Sequence, residues 1–190
     1  MGQKAEKTKE RILQQAYRLF AAKGFQAVTM ADICRQTGLS RGGLYRYYAN
    51  TGQILSEILS AEPSVMDRIQ RRESAAAILE DLLSLLREEI LDKKNSLSLA
   101  IYEYANLGNQ ELFVSLHRRA KQRWIRLIQY GVETGEFQPA DPEQASDMIL
   151  YYYQGLRLWS RVIPFDEQTV QRYIQTVRLL AGRGQGEDLR

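Results

Sequence analysis

The chain is poor in the residues that build metal centres and disulfides. Its 190 residues include one cysteine, Cys34, and one histidine, His117. A single cysteine cannot close an internal disulfide, which is typical of a protein from a reducing compartment. One histidine and one distant cysteine do not supply the ligands of a zinc site, so we expect no metal and no cofactor. Cys34 lies among apolar residues, which favours a small buried side chain over a redox sensor.

Long apolar runs and strand patterns are also missing. No window approaches the roughly 20 apolar residues that cross a bilayer, and the start of the chain, MGQKAEKTK, lacks the apolar stretch of a secretory signal. We therefore expect a cytoplasmic protein with no membrane partner. Apolar residues recur at helical spacing, and the four prolines fall where these patterns begin or end. The sequence predicts an all-α protein of about nine helices.

Positive charge is concentrated at the start of the chain. Residues 1–50 hold nine of the 26 Lys and Arg but only three of the 23 Asp and Glu, so this segment carries about +6 and the remainder about −3. A basic segment joined to a slightly acidic one favours a polyanion-binding head on a body with another task.

Residues 29–48 predict two short helices joined by a tight turn; they read TMADICRQTGLSRGGLYRYY. Thr29 is placed to cap the first helix, with Asp32 at the position of a capping box. Gly38 is placed to end it in the left-handed conformation. Ser40 is placed to cap the second helix. This arrangement is typical of a helix-turn-helix, which binds DNA through its second helix.

The second helix carries the predicted DNA contacts. Its expected exposed positions are Arg41, Gly42, Gly43, Tyr45, Arg46 and Tyr47. Two glycines in one helical turn cost roughly 1 kcal/mol each relative to alanine. This cost favours a backbone that approaches a major groove closely. We expect Arg41, Tyr45 and Tyr47 to make much of the contact, and Thr29 and Ser40 to lie on phosphates.

A longer segment, LFAAKGFQAVTMADICRQTGLSRGGLYRYYANTGQIL, resembles the N-terminal domain of the TetR family of bacterial transcription regulators. The resemblance covers roughly residues 8–58. It implies a three-helix DNA-binding domain over residues 1–50 and a helical regulatory and dimerisation domain over 51–190. The family usually has a lysine where this chain has Thr51, so we expect that phosphate contact to be lost or to come from the capped helix end.

Two helices near the end of the chain carry apolar stripes. One stripe contains Ala145, Met148, Ile149, Tyr152, Leu156 and Trp159, and the other contains Val170, Tyr173, Ile174, Val177 and Leu180. Either stripe can be core or interface. The resemblance implies that the last two helices pair with a second subunit, so we expect a homodimer that reads a palindromic operator.

Three consecutive predicted helices, the last of which carries the first stripe, place polar and aromatic residues inward. The candidate ligand contacts are Tyr102, Glu103, Asn106, His117, Trp124, Tyr152 and Trp159. A carboxylate such as Glu103 in an apolar helix requires a partner, either an arginine or a ligand cation. His117 suits a hydrogen-bonded core position better than a ligand contact. The TetR resemblance places these helices around an inducer cavity.

The predicted function is a ligand-responsive transcription regulator, namely a repressor that a small molecule releases from its operator. The fourth helix, with an expected kink at Pro63, joins head to body. An enzyme using the body pocket is one alternative, but the chain lacks a nucleophile–base pair and a glycine-rich phosphate loop. A DNA-binding protein without an inducer is the other alternative.

Overall fold

A computed structural model describes residues 2–61, 64–92, 95–138, 141–160 and 162–183. These residues form ten α-helices and no strand. The helices are α1 Gln3–Lys23, α2 Met30–Thr37, α3 Arg41–Tyr45, α4 Thr51–Ser60, α5 Val65–Gln70, α6 Ala75–Leu91, α7 Ser98–Ala105, α8 Gln110–Glu133, α9 Pro142–Trp159 and α10 Glu167–Leu180. The predicted all-α class is confirmed. The tenth helix arises because the predicted fourth helix is two helices, α4 and α5. Pro63, the expected kink, lies outside the described residues.

Side-chain caps begin three of the helices that follow the helix-turn-helix. Asn50 accepts from the amide of Gln53 at 2.9 Å and begins α4. Asp141 accepts from two amides of α9, which has Pro142 as its first residue. Asp166 accepts from the Thr169 amide at 2.7 Å and begins α10. Each cap satisfies an amide that has no partner within its helix, which contributes about 1 kcal/mol.

The chain forms two compact units. The head unit comprises Met1–Glu62 and Lys94–Leu116, and the body unit comprises Pro63–Lys93 and His117–Arg190. The sequence-based boundary after residue 50 therefore differs from this division, which keeps α4 and α7 with the N-terminal helices. In the described residues no helix is both long enough and apolar enough to span a membrane.

The head unit has its own apolar core. Ala100 of α7 and Leu97, the residue before α7, are buried in it, although about 40 residues separate them from α4. Helices α1 to α4 and the segments that join them supply the other buried residues, namely Ile12, Ala16, Leu19, Phe20, Ala21, Val28, Ile33, Leu44, Tyr48, Ile54 and Leu55. Because α7 completes this core, the helix-turn-helix is held by a segment that lies far along the sequence.

The body unit packs α5, α6, α8, α9 and α10 around a second core. Tyr173 is fully buried at its centre. Ile149, Leu156 and Ile174, which the sequence placed on the two apolar stripes, are buried here. These positions stabilise the single chain. The exposed residues of the stripes remain available for a partner.

Candidate DNA-binding site

Helices α2 and α3 form the predicted helix-turn-helix, joined by Gly38, Leu39 and Ser40. Thr29 and Asp32 make the full capping box of α2, with the Thr29 amide 3.0 Å from Asp32 Oδ2. These hydrogen bonds from Thr29 hold the pKa of Asp32 below its ordinary value. Gly38 ends α2 at φ 69°, in the left-handed region that favours glycine.

The short helix α3 presents one buried and one exposed face. Leu44 is fully buried in the head core. Arg41, Tyr45 and Arg46 are exposed on the other side. Gly42 is also exposed, and a Cβ built there meets no atom within 4 Å. The fold itself therefore does not require glycine at position 42.

Two predicted contact residues are less exposed than expected. Because α3 ends at Tyr45, Tyr47 does not continue its exposed face, and it is half-buried against the head core. Gly43 is also half-buried, and a Cβ there would lie 3.2 Å from Ser40 Oγ, which accepts from the Gly43 amide at 3.1 Å. Glycine at position 43 is thus explained by the cap of α3.

The predicted phosphate contacts lie at helix starts. Thr29 and Ser40 are exposed, and their side-chain oxygens already cap α2 and α3. Thr51 is the first residue of α4 and is half-buried. These positions stay predictions as DNA contacts, as do those on α3.

The residues that directly follow α3 are held against α1 and α4. The hydroxyl of buried Tyr48 donates to Glu57 Oε2 at 3.0 Å, and Lys9 Nζ lies 2.7 Å from Glu57 Oε1. Burial, followed by the hydrogen bond with Glu57, raises the pKa of Tyr48. Tyr48 therefore remains a neutral donor, and the three side chains tie α1, α4 and the end of α3 together.

Glu103 holds the turn after α1. Its Oε2 accepts from the backbone amides of Phe25 at 2.6 Å and Gln26 at 2.9 Å. Gly24 adopts φ 81°, and a Cβ there would lie 2.6 Å from Oε2. The sequence correctly required a partner for this carboxylate, but the partners are amides 77 and 78 positions away instead of an arginine or a ligand cation.

Tyr104, next to Glu103, contacts other parts of the head unit. Its ring centroid lies 4.5 Å from that of Phe25. Its hydroxyl oxygen lies 3.2 Å from Ser56 Oγ in α4. A Cβ built at Gly52, also in α4, would lie 2.9 Å from the Tyr104 hydroxyl oxygen. Helix α7 therefore contacts both the α1–α2 turn and α4.

The seven candidate ligand residues are divided between the two units. In the head unit, Tyr102 is 57% exposed and its carbonyl accepts from the Asn106 side chain at 2.7 Å. The head unit also contains Glu103, described above. The four others, His117, Trp124, Tyr152 and Trp159, belong to the body unit.

Within the body unit these four residues have different surroundings. Trp124 is buried in the body core. Tyr152 packs edge-on against Tyr173, with ring centroids 5.0 Å apart, and Trp159 is 51% exposed. The His117 ring lies 5.4 Å from that of Tyr151, so this histidine contacts an aromatic ring instead of a hydrogen-bonded core partner. Their assignment as an inducer site stays a prediction.

The capped helix pair, its buried Leu44 and its exposed arginines and tyrosine define a helix-turn-helix DNA-binding protein. Residues 12–58 match the family described as bacterial regulatory proteins, tetR family. The HTH-type transcriptional regulator YfiR of Bacillus subtilis is 31% identical over 146 residues, which cover 72% of this chain and 71% of that protein. The chain belongs to the TetR family of bacterial transcription regulators, in which ligand-responsive repression is typical.

Two further likenesses extend over most of the chain. The HTH-type transcriptional repressor KstR2 of Mycobacterium tuberculosis is 29% identical over 140 residues, covering 67% of this chain and 68% of that protein. A TetR transcription regulator from Haloarcula marismortui has the same fold, with a TM-score of 0.66 and 22% identity over 93% of this chain and 97% of that one.

Proposed function

We propose that this regulator is a homodimeric repressor that binds a palindromic operator in the cytoplasm through α3 and leaves it when it binds a small molecule. The observation that carries the proposal is the capped five-residue helix α3, which exposes Arg41 and Tyr45 around an open Gly42 and is followed directly by the exposed Arg46. In this assignment Arg41 and Tyr45 contact bases, and Arg46 contacts phosphate. Thr29, Ser40 and Thr51 lie at helix starts, where backbone amides favour phosphate oxygens.

An exposed apolar face on α9 supports the dimer. Its large side chains are Met148, Tyr151, Tyr152, Leu158 and Trp159. Gly155 lies in the middle of this face by helical spacing, and a Cβ there meets no atom of the described chain within 4 Å. A contiguous apolar face of this kind typically marks a protein interface, and a glycine at its centre allows a second helix to approach closely.

Transmission from ligand to DNA is assigned to α7 together with α4. The proposed ligand residues Tyr102, Glu103 and Asn106 lie on α7 and at its end. Glu103 binds the turn that leads into α2, and Tyr104 contacts α4. A ligand that binds more tightly when α7 is in one position than in another would shift the head towards the conformation that goes with that position. The operator affinity would then change by a coupling free energy equal to the change that the operator makes in the ligand affinity.

Direct DNA binding tests the proposal. The probe is a 30-base-pair duplex selected by the wild-type protein from a random pool, and binding is followed by fluorescence anisotropy at fixed salt. Arg41→Ala should cost about 1–3 kcal/mol if Arg41 reads a guanine edge. The preference for the selected site over random DNA should fall as well.

Arg172→Ala is the matched control, since Arg172 is an exposed arginine in the body unit. Failure of the pool to enrich any sequence would overturn the proposal. If Arg41→Ala weakened binding equally on the selected duplex and on random DNA, Arg41 would be reassigned to a phosphate contact. Compounds are then screened by tryptophan quenching, and an inducer must also release the duplex.

A further inference from the structure

Four basic side chains form a line along α1, outside the helix-turn-helix. Lys4, Lys7, Arg11 and Arg18 are all exposed. Their spacings of three, four and seven residues return to the same side of an α-helix. The first three, together with Gln3 and Thr8, line a shallow surface depression. We call these four residues the α1 basic stripe.

The charge of the stripe is left largely uncompensated. At about 100° per residue, Glu6 lies on the opposite side of α1 and Glu10 lies well off the line. Lys9, which lies on nearly the opposite side of α1 from the line, pairs instead with Glu57. In the described part of the chain, none of the four stripe residues forms an ion pair. No ion pair among the described residues therefore accounts for their alignment.

The start of α1 is tied to the end of the recognition segment within the head unit. Lys9 binds Glu57, and Glu57 accepts from Tyr48, which follows α3 by three residues. The stripe spans about 21 Å along the helix axis, at roughly 1.5 Å per residue. A basic surface of that length in the unit that carries α3 can follow a strand of the duplex outside the groove.

We propose that the α1 basic stripe binds the sugar–phosphate backbone of the operator next to the groove that α3 enters. This inference rests on the proposed function and adds a second DNA-contacting surface to it. Phosphate contacts by lysine and arginine position a protein on DNA and release counterions, but they carry no base preference. The stripe is therefore expected to supply affinity and salt dependence, and α3 to supply selectivity.

The test compares the salt dependence of two doubly substituted proteins with that of the wild type, on the selected duplex and on a random duplex of equal length. Lys7→Gln/Arg11→Gln removes two stripe charges. Arg118→Gln/Arg172→Gln removes two exposed charges outside the head's helix-turn-helix and α1. Glutamine keeps the helix propensity close to that of the replaced residues. Circular dichroism melting confirms that each protein is folded.

The stripe variant should make the slope of log K against log salt shallower by about 3.6, because the two subunits of the proposed dimer together lose four phosphate contacts and each contributes about 0.9. Its affinity in low salt should fall about tenfold on both duplexes, leaving selectivity unchanged. The control variant should match the wild type. An unchanged slope in a folded stripe variant, while the wild type still selects its site, would overturn this inference and leave the proposed function intact. Binding to anionic vesicles that is lost in the variant, with DNA binding unchanged, would reassign the stripe to a membrane surface.

Discussion

The head and body units differ in what they leave exposed. Around α3 and along α1 the head exposes arginines, lysines and Tyr45. The body instead exposes a run of large apolar side chains, including Met148, Leu158 and Trp159 on α9. One surface suits a hydrated polyanion and the other suits a dry protein partner. The two units thus have surfaces suited to different partners within one chain.

The units also differ in how their helices are stabilised. The DNA-binding helices α2 and α3 are eight and five residues long, well below the length at which an isolated helix persists in water. They depend on caps and on burial of one or two residues each. Helices α8 and α9 have 24 and 18 residues and bury several apolar side chains. Single substitutions at caps should therefore matter more in the head than in the body.

The largest expected effect follows from charging the apolar face of the body. Met148→Glu/Trp159→Glu should dissociate the proposed dimer at a cost of at least about 3 kcal/mol, since two unpaired carboxylates from each subunit would be buried at the interface. Operator affinity should fall with it because a single head makes too few contacts. Sedimentation velocity measures the first effect and anisotropy the second. Leu85→Glu is the control, because Leu85 is exposed on α6. A dimer that survives the double substitution would place the interface elsewhere.

A smaller effect, of about 2 kcal/mol in DNA affinity, should follow from enlarging Gly42. The chain has room for a side chain there, so Gly42→Leu should fold normally and obstruct the groove instead. Gly42→Ala should weaken binding less and raise the melting temperature slightly, because alanine favours the helix by up to about 1 kcal/mol. Leucine and wild-type proteins with equal operator affinity would contradict the close approach of α3 to DNA.

Removing the Glu103 carboxylate should cost about 1–2 kcal/mol. Glu103→Ala leaves the amides of Phe25 and Gln26 without their acceptor, which loosens the turn into α2. The melting temperature and the operator affinity should both fall. Glu103→Gln should restore part of the loss, since its amide oxygen still accepts. Glu111 is an exposed residue of α8, so Glu111→Ala should change neither the melting temperature nor the operator affinity. If Glu103→Ala had as little effect, the turn would be stable without the Glu103 carboxylate.

The smallest effect on DNA binding is expected from Glu136, whose role lies within the body. Burial alone would raise its pKa, but hydrogen bonds from Ser74 Oγ and the amides of Ala76 and Ala75 lower it to about 2. A lowered folded pKa stabilises the protein above the unfolded value of about 4.3. That contribution is lost as pH falls from about 4.5 towards 2.

Glu136→Gln should therefore reduce stability at pH 7 by about 1 kcal/mol, allowing for solvent screening. The free energy of unfolding of this variant should fall less steeply as pH drops below about 4.5, and its operator affinity at neutral pH should equal that of the wild type. Chemical denaturation at a series of pH values measures this. An acid limb identical to the wild type would assign the acid sensitivity to other carboxylates.

The features that could be predicted from the sequence depend on neighbouring residues. The caps at Thr29 and Ser40 were predicted correctly because each cap and its amide lie three residues apart. The all-α class followed from helical spacing of apolar residues. The resemblance around residues 8–58 supplied the family, which composition and spacing alone do not identify.

The features that were missed depend on contacts between distant residues or on the end of a short helix. Tyr47 was assigned to an exposed face because α3 was expected to continue past Tyr45. The partners of Glu103 lie 77 and 78 positions away, and no local pattern specifies them. The contribution of α7 to the head core has the same cause, since Leu97 and Ala100 resemble any other buried residues.

The place of α7 in the head core limits how far this DNA-binding segment is portable. A fragment ending at residue 61 would contain the whole helix-turn-helix but would lack Leu97, Ala100 and Tyr104. It would remove part of the head core and leave the amides of Phe25 and Gln26 without their acceptor. A chimaera that transfers the DNA specificity of this protein to another regulator must therefore carry residues 95–116 with it, or receive equivalent contacts from its new host.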